Sequence, residues 1–262
     1  MITFVPGWLG EAADFDLILG HLREALDGRV EYRIHEVAGL GTRYREDPKS
    51  LEACANDLLQ DTRPGSVLCA YSMGARIGLV AALRAPRHFA ELVLCGVHPG
   101  LTSEQERDAR RDLDRLRADS LTNDPQTFLT DWYDQPLFDA VRRHPAFMEL
   151  ESRRRTLASD DARVRGAART LLACSLADQP CALPAPATLP PSTLVVGSLD
   201  SKFVEIANRM HDAAPATITV RTIANRGHAL LTEAPREVAG ILRESLVRIG
   251  ETTPLARIRR KK

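Results

Sequence analysis

A chain of 262 residues with 44% hydrophobic and 27% charged side chains can bury a full core, which excludes a disordered or low-complexity protein. Its 35 Lys and Arg balance 35 Asp and Glu, so no overall field draws it to nucleic acid or membrane phosphate, and any preference for anions must be local. The five cysteines are scattered, without close zinc-type pairs or an even disulfide framework, and read as reduced, mostly buried thiols.

The chain enters directly at residues 2–5, a short buried strand with no signal-like segment ahead of it. Apolar residues at three-to-four spacing then predict a helix over 13–26, followed by a strand over 30–37 and a helix over 50–60. A strand at 67–71, a helix at 73–85 and a strand at 92–97 continue the alternation. It stops over 99–191, where helical periodicity is unbroken by any convincing strand. That block is rich in Arg, holds Trp132, Tyr133 and Phe138 close together, and ends in a Pro-rich connector at 180–191 unsuited to helix. Strands at 193–197 and 218–223 and helices at 202–214 and 236–249 resume the pattern, and a basic stretch at 257–262 reads as a solvated tail.

Strands alternating with helices predict a mostly parallel sheet of about six strands flanked by helices. The expected division is a core over 1–98 and 192–250, a helical lid over 99–191 and a tail over 251–262. Ligands of open α/β sheets bind at the carboxyl edge of the strands, so the lid is expected to wall that pocket. No apolar run reaches transmembrane length, and the expected compartment is the cytoplasm.

Ala70-Tyr71-Ser72-Met73-Gly74 stands between a buried strand and a helix, the context of a nucleophile elbow, with small residues on either side of the serine. A serine hydroxyl needs an imidazole base, and the imidazole an orienting carboxylate. Asp200 and His228 each follow a predicted strand, and the order Ser, Asp, His is that of α/β hydrolases. The other histidines weighed, His21, His88, His144 and His211, fall in helical or connecting positions and read as surface residues. Backbone N–H donors for a developing oxyanion are expected at Met73, after the serine, and at Trp8, in the loop after the first strand. The sequence contains no metal-ligand cluster, dinucleotide glycine fingerprint or phosphate loop, so neither cofactor nor metal is expected.

Four blocks carry a resemblance to a known family. Tyr71-Ser72-Met73-Gly74-Ala75-Arg76, His98-Pro99-Gly100-Leu101, Asp131-Trp132-Tyr133-Asp134-Gln135-Pro136-Leu137-Phe138 and Asp200-Ser201-Lys202-Phe203 resemble the 2-succinyl-6-hydroxy-2,4-cyclohexadiene-1-carboxylate synthases of menaquinone biosynthesis. The resemblance implies an α/β-hydrolase fold used for a lyase reaction, loss of pyruvate from an enolpyruvyl cyclohexene carboxylate after proton abstraction. It implies a small polycarboxylate substrate, with Arg76, Arg110 and one of Arg153, Arg154 and Arg155 (Arg154 is chosen) as carboxylate ligands, and Tyr71 and Trp132 packed on the substrate. His98 is expected to start the lid without a catalytic role. The chain departs from the family pattern at Pro6, where His is usual, at Ala70, where Gly is usual, and at Gly39-Leu40-Gly41, where Gly-His-Gly is common. The triad alone leaves open a serine esterase or thioesterase, and a non-catalytic receptor on the same scaffold.

Overall fold

The buried run Ile2–Val5 forms β1, and in the computed structural model, which describes residues 1–183 and 188–252, it lies inside a six-stranded parallel sheet. Tyr32–Ile34 (β2), Ser66–Tyr71 (β3), Phe89–Cys95 (β4), Ser192–Gly197 (β5) and Ile218–Ile223 (β6) complete it in the order β2-β1-β3-β4-β5-β6. The expected tail at 257–262 lies outside the described residues, as do 184–187 of the connector.

Successive strand residues point to opposite faces, and the sequence supplies apolar side chains for both. Val67, Cys69, Val93 and Cys95 face Asp16–Ala25 (α1) and the final helix, while Leu68, Ala70, Leu92 and Leu94 face Leu51–Asp61 (α2) and Met73–Arg84 (α3). Truncating one such buried leucine to alanine costs about 2–5 kcal/mol.

Between β4 and β5 come Glu104–Asn123 (α4), Pro125–Tyr133 (α5), Asp139–Arg142 (α6), Phe147–Leu157 (α7) and Asp161–Ala173 (α8). Asp124 opens α5 by accepting the Thr127 N–H at 3.1 Å, with Pro125 at the first helical position. Asp160 opens α8 through the Ala162 and Arg163 N–H groups. Helix α4 buries little beyond Asp114, Ala118 and Leu121, which accounts for its polar sequence. Ser201–Ala213 (α9), Leu230–Glu233 (α10) and Pro235–Thr252 (α11) complete the helices. No helix among the described residues is long and apolar enough to cross a membrane.

Two strands differ from expectation by more than one residue. The strand expected at 30–37 is only Tyr32–Ile34, because at the sheet edge Glu36 leaves the ladder to accept the Ala12 and Thr42 N–H groups. The strand expected at 92–97 begins at Phe89 and ends at Cys95. Its polar start conceals a buried carboxylate, Glu91, bound by Ser245 at 2.7 Å and Arg248 at 2.5 Å from α11.

Candidate active site

Ser72 stands at the turn from β3 into α3 with φ 51° and ψ −112°, a left-handed conformation costing about 1–3 kcal/mol for a non-glycine residue. Its N–H donates to the Cys95 carbonyl at 2.9 Å. The turn closes because Gly74 has no side chain: a Cβ there would lie 2.3 Å from the Pro6 carbonyl oxygen and 2.6 Å from that of Val5.

His228, after β6, brings Nε2 to 3.2 Å from the Ser72 Oγ, and its Nδ1 lies 2.8 Å from Asp200 Oδ2. With a carboxylate as acceptor, Nδ1 carries the proton and the Nε2 lone pair faces the serine hydroxyl. Asp200 caps α9 through the Phe203 N–H, and the Phe203 ring lies 4.5 Å from the imidazole. The loop carrying His228 is held on both sides. Glu233, buried in α10, accepts the Gly227 N–H at 2.7 Å and the Ala229 N–H at 3.0 Å. The Met73 N–H is the first of α3, with no helical carbonyl one turn behind it, and the neighbouring loop presents Trp8, whose indole donates to Ala167 O at 2.9 Å.

These groups open into a cavity of about 630 Å³ between the strand ends and the helical segment. Trp8, Tyr71 and Trp132 line it, as do Arg76, Arg110 and Arg154, so the structure brings every residue singled out from the sequence to one space. The three guanidiniums differ in what already holds them. Arg154 is buried and paired to Asp14 at 2.6 Å, with Glu11 at 3.9 Å. Arg110 spends Nε on both oxygens of buried Asp114, at 2.8 and 2.9 Å. Arg76 meets only neutral acceptors, the Cys174 carbonyl at 2.8 Å and the Gln179 amide at 3.2 Å. Burial, aided by Arg110, pushes its pKa down to about 10, which leaves it charged at neutral pH.

Residues 4–241 match the alpha/beta hydrolase family. The chain is 36% identical over 186 residues to the 2-succinyl-6-hydroxy-2,4-cyclohexadiene-1-carboxylate synthase of Citrobacter koseri, covering 68% of this chain and 67% of that one. An Enterobacter protein of the same name is 34% identical over 185 residues, covering 68% and 66%. The chain belongs to the alpha/beta hydrolase family, in the branch of these synthases. The alignments span about two thirds of the length of these relatives. MenH from S. aureus superposes with a TM-score of 0.80 at 22% identity, covering 95% of this chain and 93% of that one, a likeness of fold. A thermophilic esterase from Thermogutta terrifontis does so at 0.72 and 22%, covering 95% and 89%.

In this synthase-branch chain the cavity wall also holds residues that sequence reasoning did not single out. Lys202, quoted only as part of a motif, stands exposed at the cavity and makes no ion pair among the described residues. Arg117 lies over the Trp132 ring, 5.2 Å from its centroid, and donates to Gln135 at 3.0 Å. Gln179 is fully buried and orients Arg76. Only the spacing of Arg117 from Arg110, two turns along one helix, was visible beforehand. The four histidines read as surface residues, His21, His88, His144 and His211, are all partly exposed, His88 bonded to Thr62 and His211 to the Ile218 carbonyl. Among the described residues, no group of three or more His, Cys, Asp or Glu is placed to hold a metal ion.

Proposed function

We propose that the chain eliminates pyruvate from 2-succinyl-5-enolpyruvyl-6-hydroxy-3-cyclohexene-1-carboxylate, giving the product for which its relatives are named. The observation that carries this reading is a serine–imidazole–carboxylate relay opening beneath two cations, Arg76 and Lys202, that make no ion pair with a carboxylate among the described residues. The substrate has a carboxylate on the ring, on the succinyl arm and on the enolpyruvyl group. Such a ligand suits guanidiniums, which take carboxylates through paired charge-assisted bonds. Arg76, Arg110 and Lys202 are the ligands we assign to it, with Arg117 beside them. Arg154, held by Asp14, contributes mainly by anchoring the helical lid to the core, and Tyr71 and Trp132 pack on the ring.

Turning a 3-ene with an oxygen substituent at carbon 5 into a 2,4-diene requires loss of the carbon-2 proton and cleavage of the bond from carbon 5 to oxygen. The succinyl ketone makes that proton the acidic one. His228, oriented by Asp200, takes the Ser72 proton, and the serine oxygen removes the proton from carbon 2. The electron pair moves onto the ketone oxygen, where the Trp8 and Met73 N–H groups hold it. Collapse of this dienolate breaks the bond at carbon 5, and the departing enolpyruvate takes the proton from His228 to become pyruvate. General-base help is worth about a hundredfold to ten-thousandfold, and one oxyanion donor about 3–4 kcal/mol.

The free cysteines, four of them buried, suit a reducing compartment, and we assign the protein to the cytoplasm. The test is pyruvate release from the enolpyruvyl substrate by the wild type and by Ser72→Ala. Turnover by the variant at the wild-type rate removes the proposed base. Faster cleavage of p-nitrophenyl esters with an acyl-enzyme burst replaces the lyase reading by an esterase or thioesterase.

A further inference from the structure

His98 stands three residues beyond the end of β4, on the wall of the same cavity, half-buried. Its Nδ1 accepts the Gly100 N–H at 3.1 Å, a turn in which the side chain bonds the backbone two residues on. An imidazole that accepts at Nδ1 carries its proton on Nε2. A second proton on Nδ1 would set N–H against N–H. Burial, helped by the positive charges of Lys202, Arg76, Arg110 and Arg209, pushes the ring's pKa down to about 3, so it stays neutral. Gln179 ties His98 to the cationic wall: its amide donates to the His98 carbonyl at 2.8 Å and accepts from Arg76. Phe203 stands edge-on to the imidazole at 6.4 Å. Among the described residues, Nε2 has no protein acceptor.

We propose that His98 is a substrate-binding residue whose Nε2–H donates to a carboxylate oxygen of the substrate, beside the charge supplied by Arg76 and Lys202. This rests on the reading of the cavity as a polycarboxylate site. A neutral donor adds a bond to a charged acceptor without adding a further cation to a wall already crowded with them. It also remains a donor throughout the neutral pH range.

Two substitutions separate this role from the structural one. Asn places an oxygen where Nδ1 stands, so His98→Asn keeps the turn to Gly100 and removes the cavity donor. Gln places an N–H near Nε2, so His98→Gln keeps the donor and loosens the turn. Binding of succinate is followed by the fluorescence of Trp8 and Trp132, which line the cavity, alongside KM for the enolpyruvyl substrate and thermal melting. His98→Asn is expected to melt like the wild type while its succinate Kd and its KM rise roughly tenfold or more. His98→Gln is expected to melt lower and to hold both constants within about threefold of the wild type. Wild-type binding by His98→Asn, equal losses in both variants, or a wild type that does not bind succinate overturns the proposal. A wild type that binds succinate but releases no pyruvate overturns the proposed reaction instead and leaves the His98 comparison intact.

Discussion

Gln179 holds Arg76 without neutralising it: the contact is an amide oxygen at 3.2 Å inside a fully buried site, where a carboxylate would have been the stronger partner. The guanidinium is thereby fixed in direction and left with its charge unspent. Gln179→Glu should give Arg76 an internal counter-ion and raise KM by about ten- to a hundredfold, the worth of one charged hydrogen bond. Gln179→Met loses the same amide, including its bond to the His98 carbonyl, but adds no charge. A smaller rise in KM for Met than for Glu, in parallel steady-state assays, is the expected result. Equal effects would mean that the amide matters only as a brace.

Arg76→Lys should make substrate binding depend on pH. Only the charged form holds a carboxylate, and charge is present below the folded-state pKa and lost as pH rises through it. Burial together with Arg110 has brought Arg76 down to about 10 from the high value of a free guanidinium. A lysine starts lower and meets the same desolvation, so its charge is expected to disappear between about pH 6 and 9. KM for the variant should climb across that interval while the wild-type KM stays level. A flat KM profile in the variant would place Arg76 outside substrate binding.

Glu233 touches neither cavity nor substrate, yet it accepts the N–H groups on both sides of His228. Glu233→Gln offers one oxygen and turns an NH2 toward the other N–H, freeing one end of the loop. Leaving a buried N–H unpaired costs about 1–3 kcal/mol, read as a lower melting temperature. Misplacing the imidazole by about an ångström costs roughly a hundredfold in rate. The expected signature is kcat reduced by about ten- to a hundredfold with KM nearly unchanged. If KM rises instead and kcat holds, Glu233 acts on the cavity wall and not on the imidazole.

The parts of this site legible in the sequence are those whose context is local. Ser72 follows a buried strand and precedes a helix, and Asp200 and His228 each follow a strand, so a pattern of a few residues marked each one. The inner strands were equally plain because both faces of a parallel sheet are apolar. What local pattern could not supply was the partner. Arg154 is neutralised by Asp14, 140 residues earlier, and Arg76 is oriented by Gln179, 103 residues later. The start of strand β4 was missed for the same reason: the carboxylate of Glu91 has no local partner, and Ser245 and Arg248 reach it from the far end of the chain.

Gly96, the residue after β4, has φ 61° and lies against the imidazole of His228. A Cβ at that position would lie 2.7 Å from Cε1 and 3.1 Å from Nδ1 of the ring, closer than a side-chain carbon can stand. The ring has little freedom to give way, since Asp200 holds Nδ1 at 2.8 Å and Phe203 covers it at 4.5 Å. Gly96→Ala therefore has to move the imidazole, and the 3.2 Å contact to the Ser72 Oγ lengthens. The left-handed backbone adds about 1–2 kcal/mol of destabilisation, a small shift in melting temperature. Reactivity is the larger effect: kcat should fall by about a hundredfold, together with the rate at which a fluorophosphonate labels Ser72. Labelling at the wild-type rate in a folded Gly96→Ala protein would mean that the ring finds another position from which to activate the serine.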